Sequence, residues 1–173
     1  MKSVYKFIRK QWNKQGKDLK TLLKSRVVEW RKQHTVEKIE KPTRLDRARA
    51  LGYKAKKGYI LARVKVRKGG RHRKAYHKGR KPAHAGLTHF TYGKSLQWIA
   101  EGRAQKRFPN LEVLNSYPVG EDGQHKFFEI IFIDPNSPEI KSDSKINWIL
   151  NPANKRRVYR GLTSVAKRNR ETV

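Results

Sequence analysis

The sequence predicts an α+β fold, in which helices pack against a small sheet of about four strands. Three observations indicate this class. Apolar residues recur at helical spacing in the first thirty residues, two sets of residues alternate at 59–67, one of them apolar and the other mostly basic, and two apolar stretches flank a turn near residue 122. A chain of 173 residues is long enough to bury one modest core. We therefore expect a single domain over residues 1–173.

Two helices are expected at the N-terminus, within residues 3–34. In the first, over 3–15, Tyr5, Ile8 and Trp12 follow the spacing of one helix face. Asp18 is a candidate N-cap for the second, whose leucines and Trp30 keep the helical period. Because packing explains these apolar residues well, we expect both helices to face the core.

Residues 35–67 are expected to form two strands around a short helix. Residues 35–40 are read as an edge strand, and a basic helix over 43–51 should end at Gly52. The alternation over 59–67 predicts a strand with one face in the core and three cations on the other, about 7 Å apart. Phosphates along a nucleic-acid strand have a similar spacing. The alternative for this cationic face is an ordinary solvated surface.

The second half of the body, residues 92–150, is expected to contain a helix and a hairpin. A helix over 95–108 ends at Pro109, and strands over 111–119 and 127–133 flank the turn GEDGQ. The second strand is apolar on both faces, which predicts a central position in the sheet. Pro118 cannot donate to a strand ladder, so its strand should be an edge or bulged there.

The distribution of charge predicts a polyanionic partner. The chain has 43 Lys and Arg against 14 Asp and Glu, a formal net charge of +29. Residues 47–100 contain 16 Lys or Arg and no acid. A folded protein of this charge density repels itself unless a polyanion compensates, and nucleic acid is the commonest one. No apolar stretch is long enough to span a membrane.

Two basic segments are expected to lie outside the body. Residues 68–91 carry four glycines and no apolar period, so we predict an arm that is disordered alone and orders against RNA. The segment over 151–173 holds a second basic cluster, with Tyr159 as a candidate stacking ring.

The histidine pairs and a group of three acids are the candidates for a metal site or a catalytic site, and both have simpler interpretations. The pairs His72/His77 and His84/His89 lack the i, i+4 spacing of a helical metal site and lie among cations. We interpret Glu121, Asp122 and Asp134 as turn residues; the alternative is the carboxylate cluster of a metal-dependent nuclease. The sequence has no cysteine and no P-loop motif. We therefore expect no metal, no cofactor and no enzymatic activity.

Five segments carry a family resemblance: PTRLDRAR at 42–49, LGYKAKKGYILARVKVRKGGR at 51–71, SLQWIA at 95–100, LNSYPVGEDGQHKFFEIIFID at 114–134 and RGLTS at 160–164. In these segments the chain closely resembles the L15e family of archaeal and eukaryotic large-subunit ribosomal proteins. Two departures are visible: Pro118 stands where the family usually has an aromatic residue, and the chain ends at Val173 without the long basic tail of eukaryotic members. The second departure favours an archaeal-type member.

The resemblance implies a four-stranded antiparallel sheet with extended segments embedded in ribosomal RNA. It implies a non-catalytic structural protein of the cytoplasmic ribosome, whose partners are large-subunit ribosomal RNA and neighbouring ribosomal proteins, with no membrane and no small-molecule substrate. A free-standing RNA- or DNA-binding chaperone is the main alternative. The residues predicted to contact RNA are Arg44, Arg47, Arg49, Lys54, Lys56, Lys57, Arg63, Lys65, Arg67, Lys68, Arg71, His72, Arg73, Lys74, Lys78, Arg80, Lys81, Arg156, Arg157, Arg160, Lys167 and Arg168.

Overall fold

Four strands form one antiparallel sheet. The structure is a computed structural model that describes residues 3–70, 75–86 and 92–171. The strands are β1 (Val36–Ile39), β2 (Tyr59–Arg67), β3 (Glu112–Glu121) and β4 (His125–Ile133), and their order in the sheet is β1-β2-β4-β3. The predicted α+β class and the central position of the last strand are confirmed.

Six α-helices occur within the described residues, most of them on the two faces of the sheet. Short 3-10 turns at Pro82–His84, Asn147–Leu150 and Pro152–Asn154 complete the elements. The helices are α1 (Val4–Asn13), α2 (Lys17–Lys32), α3 (Leu45–Ala50), α4 (Leu96–Arg107), α5 (Pro138–Lys141) and α6 (Ser164–Glu171).

The sheet is covered on both faces, which explains why β4 is almost continuously apolar. Phe127, Ile131 and Ile133 enter a cluster with residues of α2, α3 and α5. Phe128 and Ile130 enter a second cluster with α4 and α6 on the opposite face. Each additional buried aliphatic or aromatic side chain contributes about 1.5–3 kcal/mol, so β4 is the main source of core stability.

Local chemistry explains where several elements begin and end. The Ser3 and Ser95 hydroxyls accept hydrogen bonds from the first turns of α1 and α4. Gly52 follows α3 with φ +98°, as predicted for a helix stop. β3 is an edge strand with a register shift between Pro118 and Gly120, which confirms the prediction of an edge or a bulge.

Three expectations about the helices are wrong. α1 has no buried residue; Tyr5 and Trp12 instead lie under the guanidinium groups of Arg49 (5.5 Å) and Arg44 (4.8 Å). α2 begins one residue before Asp18, with Gly16 at the N-cap position. The C-terminal segment was expected to lie outside the body, yet its helix α6 buries residues in the second cluster.

Candidate nucleic-acid interface

The exposed cations predicted to contact RNA lie on α3, just before and at the end of β2, on the arm and on the C-terminal segment. Four further predicted contacts, Arg71, His72, Arg73 and Lys74, lie outside the described residues, as does His89. The exposed members of the predicted set are Arg47, Arg49, Lys57, Arg67, Lys78, Arg80, Lys81, Arg156, Arg160, Lys167 and Arg168.

The cationic face predicted for β2 is largely covered. Arg63 donates to the side chain of Gln33 (3.1 Å), and its guanidinium lies 4.4 Å from the ring centre of Trp30. The Lys65 ammonium donates to the carbonyl oxygens of Arg31 (2.8 Å) and Gln33 (2.9 Å). The C-terminal end of α2 therefore occupies this face. The expectation of three solvent-facing cations is corrected for Arg63 and Lys65, whereas Arg67 is exposed.

Several half-buried lysines are paired with acids of the body. Lys54 and Lys56 both donate to one oxygen of Asp143, at 2.6 and 2.7 Å. These two hydrogen bonds hold the pKa of Asp143 well below its usual value. Lys68 pairs in the same way with Glu121 at 3.3 Å. Because each pair places a carboxylate beside the lysine ammonium groups, the positive charge of these lysines is partly neutralised before any RNA binds.

Arg157 is a buried anchor. It is 8 % exposed, and its guanidinium donates to the carbonyl oxygens of Val113 (3.0 Å), Leu114 (2.9 Å) and Leu162 (3.3 Å). Burial lowers its pKa, and the negative charge of Glu101 opposes this effect. The expectation that Arg157 belongs to an exposed basic cluster is thus corrected: it ties the C-terminal segment to the edge strand β3.

Glu101 on α4 is a second anchor for the C-terminal segment. Its fully buried carboxylate accepts hydrogen bonds from the hydroxyls of Ser116 on β3 and Thr163 before α6. The Thr163 hydroxyl in turn accepts from the Ala166 amide in the first turn of α6, at 3.4 Å. α6 is therefore placed by polar contacts as well as by packing.

Glu129 on β4 anchors the segment that precedes α3. Its carboxylate, fully buried, accepts hydrogen bonds from the Thr43 amide (3.0 Å), the Thr43 hydroxyl and the Tyr117 hydroxyl. Sequence reasoning missed this role. The sequence signal was the single acid inside the otherwise apolar run at 127–133. A buried charged group requires hydrogen-bonding partners, so this acid could have been predicted to bind polar groups of neighbouring segments.

Stability is expected to fall as pH rises above about 4.5, in part because of Glu101. Burial raises the pKa of Glu101, so the folded state retains a proton that the unfolded chain has released. The contribution of this carboxyl is complete below its ordinary value of 4.5 and is lost as pH rises through the raised pKa. Thermal unfolding between pH 4 and 8 measures the effect. Glu101→Gln, which cannot ionise, should lose less stability over this range; equal pH profiles would contradict the assignment.

Two of the three acids considered as nuclease ligands have turn roles, whereas Glu121 is the last residue of β3, so its interpretation as a turn residue is wrong. One oxygen of Asp122 accepts from the amides of Gln124 (2.7 Å) and His125 (2.5 Å), and Asp134 accepts from the Asn136 amide (2.9 Å). This confirms the interpretation of Asp122 and Asp134 as turn residues. Across residues 3–70, 75–86 and 92–171, no group of three His, Asp or Glu side chains is arranged to hold a metal ion.

Exposed aromatic rings accompany the cations. Tyr159 is 51 % exposed, and its hydroxyl donates to the carbonyl oxygen of Gly102 (3.2 Å), which ties the ring to α4. Tyr76, which sequence reasoning did not single out, is 54 % exposed within the arm. Such rings can stack on unpaired bases.

None of the helices in the described part of the chain is long and apolar enough to cross a membrane.

Comparison with known proteins identifies close relatives of the whole chain. A family model described as Ribosomal L15 matches residues 3–173. A Large ribosomal subunit protein eL15 from Metallosphaera sedula is 54% identical over 168 residues, which cover 97% of this chain and 77% of the relative. A protein of the same name from Methanocella arvoryzae is 52% identical over 171 residues, which cover 98% of this chain and 87% of the relative.

Proposed function

The chain belongs to the L15e family of ribosomal proteins, and on this basis we propose that it is a structural constituent of the large ribosomal subunit. It binds ribosomal RNA and neighbouring ribosomal proteins in the cytoplasmic ribosome, and it supports translation without catalysis. The whole chain acts as one unit, in which the sheet and its helices carry the basic arm and the basic C-terminal segment.

One observation supports this function above the others: buried acids hold two basic elements on the body. Glu129 fixes the segment leading into α3, which presents Arg47 and Arg49. Glu101 fixes the start of α6, which presents Lys167 and Arg168. Because the backbone of these elements is already fixed, it loses little further entropy when their cations bind phosphates. We infer that the exposed cations form a preorganised surface for RNA backbone.

The paired and buried cations have a different role in this proposal. Arg63, Lys65 and Arg157 stabilise the body through carbonyl, amide and aromatic contacts. We therefore assign RNA contacts to the exposed set defined above, together with the predicted arm residues 71–74. Contacts of this kind recognise phosphates, sugars and RNA shape more than base edges.

Sedimentation of cell extracts tests the assignment to the large subunit. The chain is expected to migrate with large subunits at low salt and to leave them only at high salt, because many phosphate contacts must be broken together. A free-standing RNA chaperone, which has no fixed assembly, would instead spread across all RNA-containing fractions. A broad distribution at low salt would contradict the proposed function.

A further inference from the structure

A groove with a cationic lining lies between α1 and α3. Its volume is about 320 Å³, near the lower end of the range of about 300–1,000 Å³ that is typical of small-ligand sites. Four of the described residues that line it are cations: Lys6 and Arg9 come from α1, and Arg44 and Arg47 come from the α3 segment. The groove is therefore large enough for one phosphate group with its ribose, and too small for a nucleic-acid duplex.

The charge of the groove favours an anion. Lys6 and Arg9 are three residues apart, so they lie on one stripe along α1, and Arg47 is exposed on α3. Asp46 is the one acid among the described residues that line the groove, and its carboxylate pairs with Arg44 at 3.2 Å. The lining keeps an excess of positive charge after this pair is counted. Lysine and arginine side chains bind phosphate oxygens through charge-assisted hydrogen bonds.

Packing in the core does not explain why α1 lies beside α3. None of its ten residues is buried. The Trp12 ring lies 4.8 Å from the guanidinium of Arg44, and the Tyr5 ring lies 5.5 Å from that of Arg49. Isolated helices of this length are marginal in water, and cation–π contacts at exposed sites are weak. An anion bound by both helices would therefore hold α1 in place.

We propose that α1 and α3 clamp one backbone phosphate of the large-subunit ribosomal RNA in this groove. Lys6 and Arg9 bind the phosphate from α1, and Arg47 binds it from α3. Arg44 joins the two helices through its contact with Trp12. The inference rests on the proposed function and extends the RNA-binding surface to α1, none of whose cations was predicted from the sequence to contact RNA.

The absence of cysteine from the chain allows the RNA beside the groove to be located. Leu45 is exposed, lies between two groove residues in sequence and does not itself line the groove, so that Leu45→Cys can carry an iron chelate that leaves the groove open. Hydroxyl radicals from the chelate cleave nearby RNA in assembled large subunits. We expect cleavage in one short stretch of ribosomal RNA.

Ethylation of the phosphates in this stretch identifies the one that is bound, because ethylation removes the negative charge of a phosphate. The modified RNA is offered to the chain, and bound and unbound RNA are compared. We expect ethylation at one phosphate to weaken binding of the unsubstituted chain about tenfold, which corresponds to about 1.4 kcal/mol.

Two double variants separate the groove from the rest of α1. Lys6→Ala with Arg9→Ala should weaken binding of unmodified RNA about tenfold, and ethylation of the identified phosphate should then have little further effect. Lys10→Ala with Lys14→Ala removes the same charge from α1 and its C-cap, but both lysines are exposed on a face that does not line the groove. This control should bind almost as tightly as the unsubstituted chain and stay sensitive to ethylation. Alanine favours helix, so both variants should keep α1 folded.

Three results would overturn the inference while leaving the ribosomal function intact. The first is that the chelate cleaves a neighbouring protein and no RNA. The second is that the two double variants weaken binding equally. The third is that no phosphate in the cleaved stretch affects the unsubstituted chain more than the variant without Lys6 and Arg9. Loss of the unsubstituted chain from large subunits during sedimentation would instead overturn the proposed function, and this inference with it.

Discussion

Replacing Arg157 with alanine is expected to lower the free energy of unfolding by about 3–5 kcal/mol, the typical cost of removing one partner from a buried charged group. The guanidinium satisfies three backbone carbonyls, two of them on the edge strand β3. Without it these carbonyls lose their donors, and the buried Glu101 and Glu112 lose a nearby positive charge. The C-terminal segment should detach first, because Arg157 is its main polar contact with β3.

Urea unfolding of the free chain, followed by tryptophan fluorescence, measures this loss. Arg156→Ala is the matched control: it removes the same charge from the neighbouring exposed position and should change stability by less than about 0.5 kcal/mol. Similar effects of the two substitutions would show that Arg157 is not the anchor that its contacts indicate.

Removing two exposed cations from the C-terminal segment is expected to weaken RNA binding in a salt-dependent way. Arg156 and Lys167 are exposed, and each is expected to neutralise one phosphate. Counterion release then predicts that the double alanine variant reduces the slope of log affinity against log salt by about 1.4–1.8. The measurement is binding to large-subunit ribosomal RNA by filter retention over a range of salt concentrations.

The double variant Lys141→Ala, Lys145→Ala provides the comparison. Both lysines are exposed, and they lie in the part of the chain where acids outnumber cations. Removing them changes the net charge equally but should leave the slope almost unchanged. If both double variants reduced the slope by the same amount, total charge would determine binding, and the surface proposed here would have no special role.

The sheet could be predicted from the sequence because its signals are local. The alternation over 59–67 gave the bounds of β2, and the apolar run at 127–133 identified a strand covered on both faces. Pro118 was correctly read as marking an edge or a bulge, because proline lacks the amide that a strand ladder requires.

The anchors of the basic elements could not be predicted in the same way, because they depend on contacts between distant segments. The alternation in β2 does not show that the end of α2 covers Lys65. Arg157 is surrounded in sequence by basic residues that are exposed, and only the fold distinguishes it from them. α6 was missed because its sequence SVAKRNRE has few apolar residues, so that its position depends on Thr163 and Glu101.

The salt dependence of RNA binding by the intact chain tests most directly whether folded RNA neutralises its excess charge. If about ten phosphates are contacted, log affinity should fall against log salt with a slope of about −7 to −9, and affinity should fall by roughly 10⁴–10⁵ between 50 and 200 mM salt. Affinity that stays constant over this range would contradict the account, because it would mean that the +29 charge of the chain does not drive its association with RNA.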